Sequence, residues 1–263
     1  MEEKFKSEGK CLFCGNTFAK AGINRHLATH LSEKTANSKA GKSFFVKVET
    51  NKKWGTTPYF LSLWIDGEAL VEDLDHFLKG IWLECCGHMS AFTDPKKQRD
   101  RHGMFDMMDA YELLDQGKTA EYERMMEDNI GQVPMSRKIG KALSKAMVLD
   151  YEYDFGSTTA LTVTVMDAYP VASDKKIALL SRNEPLKIMC SDCGKLPAVE
   201  LCTVCMYDEE AVFCEKCAKK HSKKCEEFAD YAAMPVVNSP RMGVCGYEGG
   251  VIDVERDGIF KVE

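Results

Sequence analysis

No stretch of the 263 residues approaches the ~20 consecutive apolar positions that a membrane-spanning helix needs. The opening MEEKFKSEGK carries no apolar run of signal-peptide type. These two absences set the expectation of a soluble, cytoplasmic protein with no membrane partner. A Walker phosphate loop, a nucleophile elbow, a paired-histidine metalloprotease motif and a dinucleotide fingerprint are missing as well. No ready-made catalytic signature stands in the chain. Its 44% hydrophobic and 29% charged residues suit one ordinary globular body with small appendages.

Charge is divided unevenly. Residues 1–53 hold 11 Lys and Arg against 5 Asp and Glu, whereas the remaining 210 hold 24 against 36, within an overall net charge of −6. A basic end of this kind can face an anionic partner, and the acidic bulk repels nucleic acid. A merely solvated surface explains the same split.

Twelve cysteines in a chain without a secretion signal point to metal, because a reducing cytosol does not keep disulfides. The first cluster lies in CLFCGNTFAKAGINRHLATH, residues 11–30. Cys11 and Cys14 suit a knuckle between short strands, and His26 and His30, four apart, project from one helical face and can complete a tetrahedral shell. Phe18, Ile23 and Leu27 supply a miniature core. The segment resembles the Cys-Cys-His-His zinc-finger family, with eleven rather than twelve residues between the second Cys and the first His. By that resemblance the base-reading positions fall near Ala19, Gly22 and Arg25, and only the arginine can read a base edge. Lys4, Lys6, Lys10, Lys20 and Lys34 can hold phosphates without sequence preference. Lys10, Lys20 and Arg25 are the candidate nucleic-acid contacts, with docking onto another protein as the alternative use.

The second cluster is denser. Cys190, Cys193, Cys202, Cys205, Cys214, Cys217, His221 and Cys225 make eight ligands, enough for two complete tetrahedral zinc shells. Closed shells belong to structure, since catalytic zinc keeps a position for water. Pair order suggests Cys190, Cys193, Cys214 and Cys217 on one ion and Cys202, Cys205, His221 and Cys225 on the other; a sequential assignment is the rival. The segment resembles the cross-brace B-box and MYND interaction modules. One structural zinc can supply roughly 10–16 kcal/mol, comparable to the ~5–15 kcal/mol net stability of a whole domain. Three zinc ions are expected in the chain.

Between the clusters, residues 44–50 and 59–65 read as strands, and Leu70, Leu74, Phe77, Leu78 and Ile81 recur at helical spacing. Residues 87–93, 148–156, 160–169 and 177–181 read as further strands. A charged helical stretch over 104–130 breaks at Gly117, and a basic helix is expected over 136–147. Met104, Met107, Met108, Met125 and Met126 serve either as gap-fillers in the core or as an adaptable docking surface.

Three segments, LSLWIDGEALVEDLDHFLKGIWLECCGHMSAF (61–92), YEYDFGSTTALTV (151–163) and SPRMGVCGYEGG (239–250), resemble the plasmid pRiA4b ORF-three-like family, of the transposable-element passenger type. The resemblance covers about residues 43–263, with the double-zinc unit inserted. It implies a compact α+β core and an association with mobile genetic elements, and no known reaction. No serine-recombinase site with its arginine cluster accompanies it.

The expected organisation is a finger over 1–31, a linker over 32–42, an α+β core over 43–188 and 232–263, and a double-zinc module over 189–231. Within the core, Glu84, Cys85, Cys86 and His88 lie close in sequence. The family resemblance brings Tyr153, Asp154, Gly156 and Cys245 toward them. These groups can bind a further metal or perform acid–base work. Otherwise the cysteines are small buried hydrophobes and Asp154 caps a turn. Adjacent Cys85 and Cys86 are not expected to ligate one ion together. The sequence is therefore read as a non-enzymatic, zinc-dependent interaction protein, with nucleic acid as partner at its basic end and protein at its double-zinc end. The rival reading is a metal-assisted hydrolase or nuclease centred on Glu84, His88 and Asp154.

Overall fold

β-Branched and aromatic side chains crowd the segments around 44–50 and 59–65, and in the computed structural model both become strands of one sheet. The structure describes residues 7–36, 39–51, 58–97 and 107–257. In chain order, β1 (Glu8–Lys10) and β2 (Thr17–Ala19) form a hairpin, followed by α1 (Lys20–Thr35), β3 (Ala40–Thr50) and β4 (Phe60–Asp66). Next come α2 (Val71–Leu78), which runs into a π-turn over Lys79–Leu83, and β5 (Ser90–Thr93). Two helices, α3 (Met107–Asp115) and α4 (Thr119–Ile130), precede the single turn α5 (Ile139–Ala142). Then come β6 (Val148–Tyr153), β7 (Thr159–Val171) and β8 (Ile177–Arg182). The last elements are β9 (Glu200–Cys202), β10 (Val212–Phe213), α6 (Glu215–His221) and β11 (Ala233–Pro235).

The six long strands make one antiparallel sheet in the order β5-β6-β7-β3-β4-β8. The architecture is α+β. Alternate residues of a strand face opposite ways, so neighbouring apolar residues signal that both faces are covered. On one face Phe44, Val46, Leu61, Leu63 and Val163 pack with Leu74 and Leu78 of α2 and with Ile81 and Trp82 of the π-turn. On the other, Phe45, Phe60, Trp64 and Leu180 pack with Ile23, Leu27 and Leu31 of α1.

That second layer changes the expected organisation. The finger is not an appendage on a linker: α1 continues to Thr35 and β3 begins at Ala40, so the expected linker over 32–42 is mostly helix and strand. Ile23, Leu27 and Leu31 are fully buried, worth about 1.5–3 kcal/mol of apolar burial each, shared between Cys11 and Phe18 of their own unit and the sheet. Hydrogen bonds add direction. Leu12 N–H donates to Leu180 O at 2.9 Å, Glu184 N–H to Glu8 O at 2.7 Å, and Ser62 Oγ to Asn24 Oδ1 at 2.8 Å. Gly9 is needed here, because a Cβ would sit 2.6 Å from the Phe60 ring.

The expected helix over 136–147 is also shorter, only Ile139–Ala142. Its start is drawn into the β4–α2 turn, where Ile139 N–H donates to Ala69 O at 2.7 Å and Gly140 N–H to Gly67 O at 2.8 Å. The break at Gly117 is present, with φ +71 between α3 and α4. Of the methionines, Met126 is buried while Met107 and Met108 are exposed; Met104 lies outside the described residues, as do Lys4 and Lys6.

The segment that carries the eight donors from Cys190 to Cys225 is inserted after β8. It extends beyond the expected end at 231, because β11 pairs with β9. Residues 236–257 then close over the π-turn. Ser239 Oγ donates to Trp82 O at 2.7 Å, and fully buried Arg182 donates from Nη2 to Asp257 Oδ1 at 2.5 Å and to Asn238 O at 2.6 Å. Gly250 permits this approach, since a Cβ there would stand 2.5 Å from Ile81 O.

Candidate metal centres

Four side-chain clusters each bring four sulfur or imidazole donors within 4.8 Å of one another. For a tetrahedral zinc with bonds near 2.3 Å to sulfur and 2.0–2.1 Å to nitrogen, neighbouring sulfurs stand about 3.8 Å apart and a sulfur and a nitrogen about 3.5 Å. The donor spacings can be compared with those values.

The first cluster is Cys11, Cys14, His26 and His30, as the sequence spacing predicts. The β1–β2 hairpin presents the thiols and α1 the imidazoles, with Cys14 Sγ 3.3 Å from His26 Nε2 and the two Nε2 atoms 3.2 Å apart. Phe18 stacks on His26 at 4.0 Å between ring centroids, fixing the ring plane.

The eight donors from Cys190 to Cys225 divide in the interleaved manner. Cys190, Cys193, Cys214 and Cys217 form one cluster and Cys202, Cys205, His221 and Cys225 the other, so the sequential alternative does not describe the fold. Cys193 and Cys214 sulfurs lie 3.9 Å apart; Cys205 Sγ is 3.9 Å from Cys225 Sγ and 3.6 Å from His221 Nε2. These spacings match tetrahedral zinc. Backbone N–H groups of Lys195 and Leu196 hold the Cys193 thiol down to about 6, whereas burial pushes the Cys205 thiol up to about 12. The core of this unit is mostly its own ligands, joined by Ala211, Phe213, Ala218, Phe228 and Ala232. Phe213 stacks on His221 at 4.3 Å, the same device that Phe18 supplies in the finger.

The fourth cluster is Cys85, Cys86, His88 and Cys245. The sequence expectation is that adjacent Cys85 and Cys86 do not ligate one ion together and are small buried hydrophobes. Instead both sulfurs converge, 3.7 Å from each other, and Cys86 and Cys245 are exposed. The chain turns sharply at Gly87, with φ +80, while Glu84 Oε1 accepts its N–H at 2.6 Å. Glu84 is therefore a turn-holder. His88 Nε2 lies 3.0 Å from Cys86 Sγ, 3.2 Å from Cys245 Sγ and 3.5 Å from Asp154 Oδ2.

Asp154 belongs to a buried network beside these donors. Arg241, with no solvent exposure, donates from Nη2 to Asp154 Oδ2 at 2.6 Å and to Cys85 Sγ at 3.5 Å, and its guanidinium lies 4.7 Å from the Tyr153 ring centroid. The arginine, helped by the N–H groups of Ser157 and Gly156, holds the Asp154 carboxyl down to about 2. Burial pushes the Cys85 thiol up, but Arg241, together with hydrogen bonds to Cys86 and Tyr153, more than offsets it, and the net direction is down. Arg241 carries no signal in sequence, since SPRMG contains no periodicity or spacing that marks it.

The candidate nucleic-acid residues divide. Lys10 and Arg25 are exposed, whereas Lys20 makes a 2.9 Å ion pair with Glu49 of the sheet. No helix among the described residues is long and apolar enough to cross a membrane.

Comparison with known proteins adds little to the geometry. No family model matches the chain, and no curated protein matches it. Among solved structures, a protein of unknown function from Methanosarcina mazei Go1 is similar at a TM-score of 0.35 and 15% identity, over 59% of this chain and 76% of that one.

Proposed function

We propose that this chain is a non-enzymatic, zinc-dependent interaction protein. The observation that carries the reading is the donor count: the finger and the double-zinc unit hold three sets of four soft donors, which leave no coordination position for a water nucleophile. Zinc here shapes docking surfaces. On the double-zinc unit Tyr207 is 88% and Tyr231 68% exposed, and aromatic side chains left in solvent suit a protein partner. At the finger, exposed Lys10 and Arg25 suit the phosphates of a nucleic acid. With the inner face of α1 packed on the sheet and Lys20 engaged by Glu49, this contact is small and carries little sequence preference. The resemblance to transposable-element passenger proteins adds an association with mobile genetic elements.

Fluorescence anisotropy with labelled duplex and single-stranded oligonucleotides tests the nucleic-acid half. Retention at roughly 50 mM salt that falls away by roughly 200 mM, and that is lost in Lys10→Glu/Arg25→Glu, is expected. No retention at low salt contradicts that half and leaves the double-zinc surface as the docking site.

A metal-assisted hydrolase or nuclease is the second reading, favoured by the approach of His88 to Asp154. Against it, Glu84 is engaged by the Gly87 N–H and Asp154 by Arg241. Under the interaction reading, His88→Ala and Asp154→Asn change stability alone. A phosphodiester-cleaving activity that these variants abolish without unfolding supports the enzyme.

A further inference from the structure

We infer that Cys85, Cys86, His88 and Cys245 constitute a fourth metal centre, exchangeable with solvent, that clamps the closing segment 236–257 onto the core.

The first support is completeness. The chain has twelve cysteines, and the four clusters take up all of them; one set is four thiols, and His26, His30, His88 and His221 bring the other three to four donors. No thiol is left over. Three thiols and one imidazole are a soft donor set that selects zinc over magnesium or calcium. The Cys86–Cys245 separation of 3.8 Å and the Cys85–Cys86 separation of 3.7 Å are tetrahedral edges, far longer than the ~2.05 Å of a disulfide.

The second support is backbone strain. Among the described residues, four non-glycine positions have positive φ, and two of them border this cluster: Cys245 at +50 and Asp154 at +63. A cysteine gains nothing intrinsic from the left-handed region, so something must hold it there. A bond from its sulfur to a metal shared with residues about 160 positions away in sequence does so.

The third is charge. Three thiolates and a divalent ion leave one net negative charge, and the buried Arg241 guanidinium, shared with the Asp154 carboxylate, lies 3.5 Å from Cys85 Sγ and lowers the cost of that charge. Exchangeability follows from burial: each of the other clusters contains at least one buried ligand, whereas this one contains none. Chelators reach it first.

Differential alkylation of the full chain decides the matter. The protein is treated with iodoacetamide before and after EDTA, and each cysteine is read by peptide mass mapping. Free thiols as exposed as Cys86 and Cys245 label at once. Protection of both until EDTA is added, followed by labelling ahead of the other clusters, is the expected result. Immediate labelling, or recovery of Cys85 and Cys86 as a disulfide, overturns the inference. The same digest reads the remaining cysteines separately, so failure here is distinct from failure of the three sequence-predicted centres. Cys245→Gly gives an independent sign. Glycine relieves the positive φ, so without a metal Tm rises and zinc content is unchanged; with a metal Tm falls and one zinc per chain is lost.

Discussion

Arg241 shows how one side chain can hold a distant segment in place. It has no solvent exposure and donates to Asp154, to Ser157 O and to Thr159 Oγ1. Arg241→Met keeps much of the volume but leaves the Asp154 carboxylate buried beside no cation, which costs about 3–5 kcal/mol. Urea unfolding should show the loss, and Asp154→Asn, which strands the buried Arg241 guanidinium instead, should be destabilising as well. An equal midpoint for wild type and Arg241→Met would contradict this role. Individual residues were unevenly legible in sequence. Paired thiols announce themselves through spacing, and all twelve expected ligands fall in the three expected sets. Cys85 and Cys86 are not legible as a ligand pair because adjacent cysteines rarely share one ion; the turn at Gly87, with φ +80, lies beside them.

At the scale of elements, the strands and α2 follow from apolar periodicity, whereas the placement of the finger does not. The clue was available in YFLSLWI, whose nearly unbroken apolar run in an antiparallel sheet requires cover on both faces. Nothing local identifies α1 as the cover. Leu27→Ala tests that contact: truncating a fully buried leucine between α1 and the sheet should cost about 2–5 kcal/mol in the unfolding of the whole core. A freely tethered finger would leave the core midpoint unchanged. The short α5 teaches a similar lesson, because its backbone N–H groups bond to the β4–α2 turn, a tertiary partner that helical periodicity over 136–147 does not reveal.

Across the whole molecule, stability comes from two sources. The six-stranded sheet is held by apolar burial on both faces, while the unit over 190–232 has a small core made mainly of its own candidate ligands. Extended chelation should therefore separate them, with protease sites opening first between 190 and 232 while the sheet remains protected. Simultaneous loss of both would contradict this division. The arrangement as a whole was legible only in part, since the number of small units follows from cysteine spacing but their docking depends on contacts between remote segments. Native mass spectrometry of chain purified without added metal is the most direct test. Four zinc ions per chain is the predicted mass; three would retain the sequence-predicted centres and remove the fourth, and the mass of the bare folded chain would contradict the account.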